Sequence, residues 1–118
     1  MIGAASLPIL SLPLPSSIVL FTTPISFLFP APVIVSRINL TKFLATHLAP
    51  KIRVNCIAPG GVEFDQDQRF KDKYSALTPM KRMMAKNELN KIVELLCTSD
   101  SSYMTGSTIV VDGGWTAW

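Results

Sequence analysis

The sequence predicts an α/β chain built on parallel strands. Three observations point there. Residues 53–58 and 107–111 are short, largely apolar runs of strand-forming residues. The first runs into Pro59-Gly60-Gly61, a turn signal at a strand's end. Between the two runs lies a long connection with an amphipathic helix. Parallel neighbours need such a crossover, whereas a hairpin needs only a few residues.

Residues 1–36 carry no charged side chain. All eleven Lys and Arg and all eight Asp and Glu residues lie from Arg37 onward. The same segment holds six of the nine prolines, which disfavour a helix by removing donors and crowding the preceding turn. So abrupt a shift divides the chain into residues 1–36, an uncharged Pro-, Ser- and Leu-rich segment, and residues 37–118. The first segment reads as poorly ordered or as an out-of-frame translation, with short extended pieces at 18–22 and 26–29. It lacks the basic start of a signal peptide. Pro24 interrupts its apolar run at 18–29, so no membrane span is expected.

From Arg37 the pattern becomes regular. Ile38, Leu40, Thr41, Phe43, Leu44 and Leu48 recur at helical spacing until Pro50 ends the run. Strand 53–58 follows. Residues 62–80 are polar and irregular, with a short helix near 68–74. A helix over 87–97 puts Leu89, Ile92, Val93 and Leu96 on one face. Residues 99–102 form a turn, and strand 107–111 is apolar enough to be covered on both faces.

With 118 residues there is room for one modest core. The net charge of +3 comes from scattered Lys and Arg without interleaved aromatics, so no nucleic-acid partner is expected. A single histidine and no Cys-x-x-Cys give no metal-ligand spacing. Cys56 and Cys97 read as buried free thiols, in keeping with a cytoplasmic location. Asn55 and Asp112 are polar residues in apolar strands. A buried polar group must be hydrogen-bonded, so both read as brackets for adjacent loops. His47 reads as a surface cap near a helix end. Tyr74 and Tyr103 are expected to pack their rings.

Four segments carry a resemblance. They are Arg37-Ile38-Asn39-Leu40-Thr41-Lys42-Phe43-Leu44-Ala45, the run from Ile52 through Arg53-Val54-Asn55-Cys56 to Pro59-Gly60-Gly61-Val62, Tyr103-Met104-Thr105-Gly106, and Ile109-Val110-Val111-Asp112-Gly113-Gly114. In this order they resemble the C-terminal part of the short-chain dehydrogenases/reductases, over residues 37–118. The resemblance implies a partial Rossmann-like doubly wound fold that retains the last two parallel strands and their helices. It implies that Pro59, Gly60, Gly61 and Val62 present backbone groups to the nicotinamide ring of NAD or NADP. Phe64 stands where the family often has threonine. Residues 64–83 correspond to the family's mobile substrate cover, with Phe64, Phe70 and Tyr74 available to line a pocket. The ending Gly113-Gly114-Trp115-Thr116-Ala117-Trp118 is similar to bacterial oxidoreductases of sugar and surface-polysaccharide metabolism.

The family's catalytic Tyr-x-x-x-Lys, counted back from the first of these segments, falls with its tyrosine at Pro30 and its lysine at Ile34. Neither residue can transfer a proton or carry a charge. The glycine-rich turn that cradles a dinucleotide's pyrophosphate is missing too, since Gly3 is the only glycine before Gly60. No catalytic residue is therefore assigned.

The resemblance implies an NAD(P)-dependent oxidoreductase acting on a hydroxyl or keto group of a small, sugar-like metabolite. The alternative is a catalytically inactive fragment or pseudoenzyme serving as an oligomerisation or interaction module. NAD or NADP belongs to the complete homologue, and tight binding by this chain is not expected. A small-molecule substrate is expected only with a full-length form. The two strands alone would leave an apolar edge and helix faces open, and such edges pair with other chains. Homo-oligomers or aggregates are thus expected at tens of micromolar. Light scattering checks this, and a monodisperse monomer with a cooperative melt would contradict it.

Overall fold

The computed structural model describes residues 16–22 and 32–118. Three parallel strands form one sheet in the order β1 (Ser17–Phe21), β2 (Arg53–Pro59) and β3 (Thr108–Val111). Helix α1 (Pro32–Leu48) joins β1 to β2. Helices α2 (Gln68–Leu77) and α3 (Asn90–Cys97), with a 3-10 turn at Ser99–Ser101, lie between β2 and β3. The fold is a partial, open, doubly wound sheet, and the expected pair of adjacent parallel strands is present. A third strand adds to the expected two. Ser17–Phe21 runs along the other side of β2, from Ser17 opposite Arg53 to Phe21 opposite Ile57. Ser-Ile-Val-Leu-Phe has no breaker and is rich in strand formers. The extended piece expected at 26–29 lies outside the described residues.

Helix α1 starts five residues before the first charged position. Pro32 opens it, which costs little because the first N–H of a helix has no intrahelical acceptor. The helix packs on β2 through the small residues Thr41 and Ala45, both buried. The Thr41 hydroxyl donates to the Arg37 carbonyl at 2.8 Å, so its burial leaves no orphaned group. Helix α3 lies against β1 and buries Leu96 completely. Between them β2 forms the core. Val54, Asn55, Cys56 and Ile57 are all 0% exposed, as a strand covered on both faces requires. Cys97 is exposed, contrary to expectation, because Leu96 takes the inward position at the end of α3. Among the described residues no helix is long and apolar enough to cross a membrane.

Two polar residues of β2 hold α3 and β3 in place. The Arg53 guanidinium donates to the carbonyls of Leu96 (2.8 Å), Thr98 (3.1 Å) and Met104 (3.3 Å) and to Ser101 Oγ (2.9 Å). It thereby satisfies carbonyls that the end of α3 leaves without partners. Asn55 Nδ2 donates to the Met104 carbonyl at 2.9 Å, and Asn55 Oδ1 accepts the Ser107 amide at 3.1 Å. Asn55 is thus the loop bracket that its position in an apolar strand suggested. Replacing Arg53 by Met keeps the apolar stem and strands these acceptors. A loss of about 2–3 kcal/mol in unfolding free energy is expected, measured by urea denaturation.

Candidate functional site

All three strands end on the same side of the sheet, and ligands of open α/β sheets bind beyond those carboxyl ends. The 59–62 loop leaves β2 there. Pro59 is buried at the strand's end. The Gly60 amide donates to the Val111 carbonyl at 2.8 Å, tying the loop to the end of β3. A Cβ on Gly60 would lie 2.8 Å from Asp112 Cα, so only glycine allows this approach. The Gly61 amide donates to Tyr74 Oη at 2.6 Å, and the Gly61 carbonyl accepts the Met84 amide at 3.0 Å. The Glu63 amide donates to Met84 at 2.8 Å, which closes a parallel bridge between Val62 and Met84. Gln66 Nε2 donates to the Val62 carbonyl at 3.0 Å. Of the amides from Gly60 to Phe64, Val62 alone has no partner among the described residues.

Tyr74 reaches the loop from α2. That helix begins where Asp67 accepts the Phe70 amide at 2.7 Å, and it stops at Thr78-Pro79, where the Thr78 amide and hydroxyl both donate to the Tyr74 carbonyl. The Tyr74 ring stacks on Trp115, with centroids 4.8 Å apart and planes 18° apart. Trp115 sits in a turn closed by Asp112. The Asp112 carboxylate accepts the Gly114 amide (2.9 Å), the Thr116 amide (2.9 Å) and the Thr116 hydroxyl (2.7 Å). Burial alone would raise the Asp112 pKa, but these hydrogen bonds outweigh it and hold the carboxyl below its ordinary range. Asp112 is a loop bracket, as expected, although it stands one residue past the end of β3 rather than within the strand.

A cleft of about 240 Å³ opens beside Tyr74, lined by Met80, Met83, Met84 and Val111 and by the charged residues Arg82, Glu88 and Asp112. Arg82 donates to both Glu88 oxygens at 2.7 Å, and the Ala85 amide donates to Glu88 Oε2 at 2.7 Å. The Arg82 hydrogen bond first, then the Ala85 amide, lower the Glu88 pKa to about 2. Among the described residues no cluster of His, Cys, Asp or Glu could hold a metal ion.

The loop residues singled out in the sequence come together at the sheet's carboxyl end. Of the three aromatic residues proposed for a pocket, only Tyr74 faces the cleft. Phe64 and Phe70 are exposed, and Phe64 lies under Lys86 Nζ at 4.0 Å. Tyr103 does not pack its ring and is fully exposed, since it sits at the tip of the turn after α3. His47 is an exposed residue, its Nδ1 2.9 Å from the Phe43 carbonyl. Pro30 lies outside the described residues, and Ile34 falls in the first turn of α1. The sequence reading missed two contacts, Tyr74 with Gly61 and Arg82 with Glu88. The second had a signal, an acidic residue three positions after Ala85 at the entry to a helix. The first had none, because Gly61, Tyr74 and Trp115 are far apart in sequence.

A parallel sheet with flanking helices and a glycine loop at its carboxyl edge defines a Rossmann-like α/β domain. Residues 35–116 match the family model described as enoyl-(acyl carrier protein) reductase. The pig "Dehydrogenase/reductase SDR family member 4" is 42% identical over 65% of this chain and 30% of its own length. A 3-oxoacyl-[acyl-carrier-protein] reductase of Aquifex aeolicus is 39% identical over 65% of this chain and 33% of its own. Among solved structures, a short-chain dehydrogenase from Leptospira borgpetersenii with bound NAD+ superposes with a TM-score of 0.76. It is 35% identical, over 85% of this chain and 44% of the other. A gluconate 5-dehydrogenase from Burkholderia cenocepacia in complex with NADP and tartrate gives a TM-score of 0.75 at 28% identity, over 86% and 45%. The chain belongs to the short-chain dehydrogenase/reductase family. It spans about a third of the length of the curated relatives that it matches.

Because its folded-state pKa is depressed, Glu88 supports the 82–88 turn fully above the ordinary carboxyl value near 4.5. That support is lost as pH falls towards about 2. A pH titration followed by NMR should show the Ala85 amide moving with the Glu88 carboxyl carbon across this window. The Glu88→Gln variant should abolish the coupled movement.

Proposed function

We propose that the chain is the back half of an NAD(P)-dependent oxidoreductase acting on a hydroxyl or keto group of a small metabolite. The unpartnered Val62 amide at the carboxyl end of the sheet carries this reading. The loop fits one end of a dinucleotide. Gly60 and Gly61 hold the backbone close to β3 and Tyr74, and Val62 keeps a donor for an acceptor oxygen such as a carboxamide's. A bound nicotinamide dinucleotide supplies or takes the hydride. The chain's own contribution is to orient that ring by backbone contact, with α2 closing over the loop through Tyr74.

By itself the 118-residue chain is read as inactive. The positions of the family's tyrosine and lysine are Pro30 and Ile34, so no acid/base group is assigned to the substrate's oxygen. The pyrophosphate-binding glycines are missing as well, and they would provide much of the affinity. Calorimetry with NAD(H) and NADP(H) should give dissociation constants weaker than about 100 μM, and no alcohol oxidation should be seen. Tighter binding would overturn this account of a half-site. If that binding were lost in Gly60→Leu, whose side chain must displace Asp112, the loop alone would be the sufficient element.

A further inference from the structure

Natural edge strands are blunted by charged side chains, proline or a bulge. Ser17-Ile18-Val19-Leu20-Phe21 has none of these, and its five residues run along β2 without a break in register. The ladder with β2 uses the backbone of alternate residues. The Ser16 carbonyl accepts the Arg53 amide, and the Thr22 amide donates to the Ile57 carbonyl. The N–H and C=O groups of Ser17, Val19 and Phe21 therefore point to the other side, where no described strand pairs. Apolar surface accompanies them, since Phe21 is 44% exposed. The Arg37 guanidinium donates to the Phe21 carbonyl at 2.7 Å and leaves that oxygen a second lone pair.

We propose that β1 pairs antiparallel with β1 of a second copy of this chain, about a two-fold axis at Val19. The two Val19 residues then exchange N–H···O bonds, and Ser17 of each copy does the same with Phe21 of the other. Every donor and acceptor on the two open edges finds a partner. A parallel pairing through the same edge would need a one-residue offset, so the two copies would not be equivalent. The antiparallel one is self-complementary and closes at two copies. It sets Phe21 opposite Ser17 and diagonal to Val19 of the other copy, within reach of its ring. Charge does not oppose it. The two Phe21 carbonyls that hold the Arg37 side chains lie about 14 Å apart along the strands, beyond the screening length of about 8 Å at physiological salt. The far edge of β3 is a poorer partner, because only Thr108 and Val110 direct their backbone groups outward there. The pairing needs neither cofactor nor substrate, so it stands apart from the oxidoreductase reading.

Sedimentation equilibrium of the whole chain at tens of micromolar should give twice the 12.9 kDa of one copy. Val19→Pro removes the two central hydrogen bonds of the dimer but none to β2, because the Val19 amide faces the open edge. It should weaken the dimer by about 10-fold or more while the near-ultraviolet signal of the stacked Tyr74 and Trp115 persists. Should that variant fail to fold, the register of the unaltered dimer decides. Ile18 of one copy stands opposite Leu20 of the other across the two-fold axis. In a mixture of isotope-labelled and unlabelled chains, a nuclear Overhauser contact between their Hα protons is expected. A monomer, a dimer without this contact, or a folded Val19→Pro chain that associates as tightly as the unaltered one would each overturn the proposal. So would an assembly that keeps growing with concentration, the signature of β1 adding head to tail to β3 of the next copy.

Discussion

The position of the candidate loop depends on the register between β2 and β3, and two polar side chains at the start of β2 set that register. Asn55 accepts the Ser107 amide and donates to the Met104 carbonyl, so the chain enters β3 at one place only. Cys56 then faces Thr108, and Pro59 faces Val111. At the far end the Gly60 amide meets the Val111 carbonyl. A slip of one residue would turn every β3 side chain to the other face and remove that contact. Arg53 adds the third dimension by tying the end of α3 to the same strand. Polar groups in a core cost free energy unless they are satisfied, and here the satisfaction specifies one alignment.

From that alignment a second chain of contacts runs towards solvent. The Asp112 turn follows directly from β3 and places Trp115, Trp115 supports Tyr74, and Tyr74 holds the Gly61 amide. Helix α2 has no buried residue of its own. Its attachment therefore rests on Tyr74, Thr78 and a few surface contacts such as Lys71 with Glu63, an exposed pair of small energetic weight. An element so lightly held opens at lower free energy than the core. On the proposed reading α2 covers a ligand crevice and needs that property, and the core, packed around β2, is insulated from it.

Much of this was legible from local pattern. The alternation from apolar run to Pro-Gly turn marked β2, and helical spacing marked α1 and α3. The polar residues Asn55 and Asp112 announced themselves by standing within or directly after apolar runs. Strand β1 was harder, because prolines flank it on both sides and no charged residue bounds it, so composition spoke for disorder while Ile18, Val19 and Leu20 spoke for a strand. Pairing with β2 decided the matter, and pairing is a long-range fact. The inward and outward positions at the end of α3 were a question of one residue, which spacing alone resolves poorly, and Leu96 rather than Cys97 took the core. The cleft was invisible in the sequence because Gly61, Tyr74, Met84 and Val111 meet only through tertiary contacts.

Strand β1 also shows that the sheet formed by the described residues is open on one side. Thr22 donates its amide to Ile57, and Ser16 accepts from Arg53, so the alternate residues Ser17, Val19 and Phe21 turn their backbone groups to the open side of the sheet. Among the described residues no strand pairs there, although the Arg37 guanidinium takes the Phe21 carbonyl at 2.7 Å. Yet Ile18, Val19 and Leu20 are apolar on both faces, the pattern of an interior parallel strand. In open sheets of this class a dinucleotide lies across the carboxyl ends of several strands. With β1 at the edge, the described strands offer only part of that crevice. On the proposed reading the 59–62 loop holds one end of a cofactor, whereas hydride transfer needs the ring, the substrate and a proton donor fixed together. That requirement extends past β1, to the side where no described strand pairs with the backbone of Val19.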